Sequence, residues 1–109
     1  MAQHLPYRVT TQTGETLDFD FALHPDTGSA LRVNQLLSAV LEALDREIRV
    51  LGETSNGDVL QAVAMALAAR ARMIHAPAAQ TADLARGLVE DALRGATAAR
   101  ADGGMTGHG

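Results

Sequence analysis

Apolar and polar residues alternate one by one near the start of the chain, and the period then lengthens. Tyr7, Val9 and Thr11 alternate with Arg8, Thr10 and Gln12, and Leu17, Phe19, Phe21 and Leu23 alternate with Asp18, Asp20 and Ala22. A period of two with one apolar face is the pattern of a half-buried strand. Between the two runs, Thr13-Gly14-Glu15 supplies a glycine free to take positive φ at a turn. The pattern therefore predicts a hairpin with strands over 7–12 and 16–21. Two strands alone are marginal in water, so their apolar face needs a cover.

After the turn-forming His24-Pro25-Asp26-Thr27-Gly28-Ser29, the period becomes helical. Val33, Leu36, Leu37, Val40, Leu41, Leu44, Ile48 and Leu51 recur in steps of three and four, which predicts a helix over 30–51. Ser29 is placed to cap its start and Gly52 to end it. A second helix is expected from the cap Ser55, with Val59, Leu60, Val63, Leu67, Ala71 and Ile74 as its stripe and His75 in its last turn. Pro77 separates it from a third helix over 78–96, where Leu84, Leu88, Val89 and Leu93 recur among alanines. Asp102 to Gly109 is rich in glycine and has no period, which predicts a disordered tail after a single domain over 1–101. The fold class expected is α+β: an N-terminal two-stranded antiparallel β-hairpin followed by three amphipathic helices.

Composition narrows what such a scaffold can do. The only aromatics are Tyr7, Phe19 and Phe21, so the helices must pack with aliphatic side chains and much alanine. Alanine favours helix but buries little area, which leaves a thin core that gains from burial against another surface. The chain has no cysteine, which excludes disulfides, thiol nucleophiles and cysteine-ligated zinc. All nine basic residues are arginines, and the net charge is −4. An acidic balance disfavours non-specific binding to nucleic acid or to an anionic membrane. The most apolar stretch, 59–74, is short and interrupted by Arg70 and Arg72, and no basic segment leads into an apolar run at the start. A cytoplasmic, non-membrane protein is expected on these grounds.

Candidate chemistry adds little. His4, His24, His75 and His108 show no metal-ligand spacing, and His4 and His108 fall at chain ends expected to be loose. Asp18 and Asp20 share a strand face, where paired carboxylates work as acid and base, hold a cation, or simply discourage sheet edges from pairing. No glycine-rich phosphate loop with its lysine is present. Hence no catalytic residue, no cofactor-binding residue and no metal ligand is assigned, and no cofactor is expected. The function expected is a non-enzymatic protein–protein interaction domain: a small accessory subunit, adaptor or regulatory factor, acting on a protein partner or on itself as a homodimer. The interaction candidates are Leu37 and Leu44 on the first helix and Arg70, Arg72 and Arg86 on the other two. One alternative is a small enzyme or ligand-binding module with a pocket between hairpin and first helix, for which Tyr7, Asp18, Asp20, His24 and Arg32 would have to converge. The other is a nucleic-acid-binding regulator with Arg70, Arg72 and Arg86 on one positive face, a partner the net charge disfavours.

Overall fold

The computed structural model of the chain describes residues 3–103. Its elements follow in the order β1 (His4–Thr10), β2 (Glu15–Ala22), α1 (Ala30–Leu51), α2 (Asn56–Met73), α3 (Ala78–Thr97) and β3 (Arg100–Gly103). The expected hairpin followed by three helices is thus present. The sheet, however, has three strands rather than two, in the order β1-β2-β3, all antiparallel.

β3 takes in Asp102 and Gly103, the first two residues of the expected tail, while residues 104–109 lie outside the described residues. Four residues with a single alanine between polar neighbours carry no readable period, which is why this strand is invisible in the sequence. His4, expected in a loose end, instead opens β1 opposite Ala22. His108 lies outside the described residues.

The hairpin turn follows from its residues. Thr11 and Glu15 close it through a backbone bond of 2.8 Å, the Gly14 N–H donates to the Thr11 carbonyl, and Gly14 sits at φ 87°. This is a three-residue loop with glycine in the left-handed position. In the register of the hairpin Leu5 faces Phe21, Tyr7 faces Phe19 and Val9 faces Leu17. These six side chains line one face and are half-buried, with the Phe19 and Phe21 rings stacked 5.2 Å apart.

The helices begin and end where local chemistry dictates. The Ser29 hydroxyl accepts from the Arg32 N–H at the start of α1, and Gly52, at φ 88°, ends it with its N–H on the Ile48 carbonyl. The Ser55 hydroxyl caps α2 by accepting from the Asp58 N–H. The helix stops at Met73, with Ile74 extended, so His75 lies beyond the last turn rather than inside it. Pro77 then precedes α3, whose first turn bonds to its carbonyl.

The chain divides into two compact units: one of residues 1–34 with 88–109, the other of 35–87. In the first, the close of α3 lies on β2. A Cβ on Gly95 would fall 2.9 Å from the Phe21 ring and 3.1 Å from the Asp20 carbonyl oxygen, so only glycine allows this approach. In neither unit is an apolar side chain buried among the described residues. Thr81 is the one buried residue among those described, at 6% exposure.

Candidate interaction surface

What the structure offers a partner is decided by which faces remain open, and the sheet comes first. The bonds at Leu23–Gln3 and Thr11–Glu15 show that the odd positions of β1 exchange hydrogen bonds with β2. The even positions, His4, Pro6, Arg8 and Thr10, therefore turn their backbone groups to the outer edge. Pro6 has no N–H to offer there, and Arg8 beside it is charged, so this edge is a poor template for another strand. On the other side β3 pairs with β2 from Glu15 to Asp18, and Gly95 lies against the next stretch at Asp20 and Phe21. Both edges of the hairpin are thus managed within the chain.

The polar face of the sheet carries a cross-strand charge ladder. The Arg8 Nε donates to Asp18 Oδ1 at 2.7 Å and its Nη2 to Oδ2 at 3.3 Å. Arg100 stands opposite Asp18 from the other side. The hydrogen bond from Arg8 holds the Asp18 carboxyl below the ordinary 3.8; partial desolvation works against it, and the charges of Arg8 and Arg100 add to it. Next to the ladder an open cleft of about 930 Å³ is lined by Arg8, Arg94 and Arg100 together with Asp18, Asp20 and Asp91. Its charges balance, and several are already engaged: Arg8 with Asp18, Arg94 with Asp91, and Asp20 with the His4 ring at 3.3 Å.

Of the residues an enzyme or ligand module would need, Tyr7, Asp18 and Asp20 line this cleft together, while His24 and Arg32 are not among its lining residues. Asp18 is held by Arg8, Asp20 by His4, and His24 Nδ1 accepts from the Asp26 N–H at 3.0 Å. Tyr7 lies on the opposite sheet face from both aspartates, and Arg32 stands in the first turn of α1. Among the described residues no group of three metal-ligating side chains comes together. No helix of the described residues is long and apolar enough to cross a membrane.

The helices present a different surface. On α1 the single stripe expected from the sequence resolves into two neighbouring lines. Leu37, Leu41, Leu44 and Ile48 are half-buried, which places the candidates Leu37 and Leu44 on the more sheltered line. Val33, Leu36, Val40 and Val50 form the other and are exposed, Leu36 at 59% and Val50 at 79%. On α2 there is no charge from Val59 to Ala69, and Leu60, Val63, Leu67 and Met65 are all exposed, Leu60 at 70%. A helix this apolar belongs inside a packed body. Arg70 and Arg72 end α2 in its last turn, and Arg86 on α3 is paired with Asp83 at 2.8 Å. The sequence reading named the two sheltered leucines. The 3-4-3 spacing of Val33, Leu36, Val40 and Ala43 was the available signal for the open line beside them.

Compared with family models, with curated proteins and with solved structures, the chain finds no match in any of the three.

Proposed function

We propose that this chain is a self-associating protein–protein interaction domain, a homodimer joined through its helices rather than through its sheet. One observation carries the reading: among the described residues many large apolar side chains of the helices are exposed, and none is buried. In the unit 35–87 eleven large apolar residues are exposed, from Leu36 to Leu84. At about 100 Å² of apolar surface per fully exposed side chain of this kind, their open parts come to on the order of 600 Å². A standard interface takes about 800 Å² from each partner, roughly two-thirds of it apolar at its core. The open apolar surface of this one unit is therefore of the size a stable dimer uses. That surface is spread over several helix faces, and a contact need take up only part of it. The two managed edges of the hairpin favour contact through the helices.

Sedimentation equilibrium across a dilution series tests the reading. The expected species has twice the 11.4 kDa of the chain. A species of 11.4 kDa that keeps its helical circular dichroism at every concentration rejects self-association.

A further inference from the structure

The open line on α1 keeps a strict spacing. Val33, Leu36, Val40, Ala43, Glu47 and Val50 follow one another in steps of three, four, three, four and three, all exposed except the half-buried Ala43. That is the seam of a coiled coil, with Val33, Val40 and Glu47 in one set of positions and Leu36, Ala43 and Val50 in the other. It runs about 26 Å along a helix that is unbroken from Ala30 to Leu51. The line beside it, Leu37, Leu41, Leu44 and Ile48, keeps the same kind of steps but is half-buried, so exposure is what leaves the Val33–Val50 line to a partner.

Resting on the self-association proposed above, we infer that α1 pairs antiparallel with α1 of a second copy of this chain along this seam. The charge in the seam sets the direction. Glu47 is its one ionised residue. In a parallel pair Glu47 would face Glu47 of the second copy, and like charges directly opposite in a seam destabilise it. In an antiparallel pair Glu47 faces the opening turns of the other helix instead. There Arg32 is the one charged residue between Ala30 and Leu41, and the exposed N–H groups of the helix start add positive potential. The two-fold axis repeats this match at both ends of the contact. Neither Arg32 nor Glu47 has an ion-pair partner among the described residues.

Because the chain has no cysteine, engineered thiols report contacts without background. A disulfide needs Cα atoms roughly 4.4–6.8 Å apart, so it reads direction as well as proximity. V33C mixed with A43C or with V50C should give a disulfide dimer containing one of each chain, while V33C alone should give none. R32E and E47R should each weaken association about threefold, and the variant carrying both should recover the parent affinity. Cross-linking of V33C to itself would show a parallel pair and overturn the inference. So would a parent that sediments as a dimer while neither mixture cross-links, since the contact then lies elsewhere. A parent that sediments as a monomer overturns both this inference and the reading it rests on.

Discussion

Gly95 shows how much one hydrogen atom in place of a methyl group can decide. It sits inside α3, where glycine costs about 1 kcal/mol of helix propensity relative to alanine, and the approach of the helix to β2 explains its presence. The Asp20 carbonyl that a Cβ would meet at 3.1 Å is backbone and cannot swing aside. Gly95→Val should therefore lower stability by about 1–3 kcal/mol, read as a fall in Tm, despite its added apolar surface. A Tm equal to the parent's would show that the helix end does not rest on the strand. At Asp18 the direction of the shift gives a second test. Its folded-state pKa is held below the ordinary value, so the Arg8 contact contributes stability above that value and loses it as pH falls through the lowered one. Arg8→Ala should raise the Asp18 pKa toward 3.8, followed by carboxyl NMR, and should remove this contribution at neutral pH while changing little in strong acid.

At the scale of elements, the periods of two and of 3.6 made the hairpin and the three helices legible, and serine and glycine marked the helix ends. β3 was not legible, because Arg100–Gly103 forms a strand only through the register offered by β2. Its pairing comes from a surface far away in the chain and leaves no local mark. The same gap explains the surface. Composition indicated a thin core, but the two lines on α1 are separated by only part of a turn, and only the fold shows which of them is sheltered. Leu44→Asp, on the sheltered line, should lower Tm by several degrees, since a carboxylate on this half-buried face gives up apolar contact and some of its own hydration. A parent-like melt would mean that this line is not packed. Pro6 makes the complementary point for the sheet. Pro6→Thr restores an N–H on the outer edge of β1 and should raise the rate of edge-to-edge assembly, seen as increased light scattering on incubation. Unchanged scattering would mean that the edge is closed by something other than the proline.

At the scale of the whole molecule, the proposed self-association would make stability depend on the protein's own concentration. Tm should rise by several degrees over a hundredfold increase in concentration. A Tm independent of concentration would mean that each chain holds its fold alone. The sheet adds a consequence of a different kind, one of timing. Arg100 pairs with Asp18, so the third strand is made about 80 residues after the one it joins. Closing a loop of that length costs on the order of 4 kcal/mol in chain entropy before the pairing returns anything. During synthesis the hairpin must therefore wait with the β2 edge open while all three helices are made. Only when Arg100–Gly103 has been made and is free can that edge be shut. The nascent chain is most exposed to wrong strand partners in that interval, and the proline on the outer edge, already in place from the sixth residue, leaves it only one side to guard.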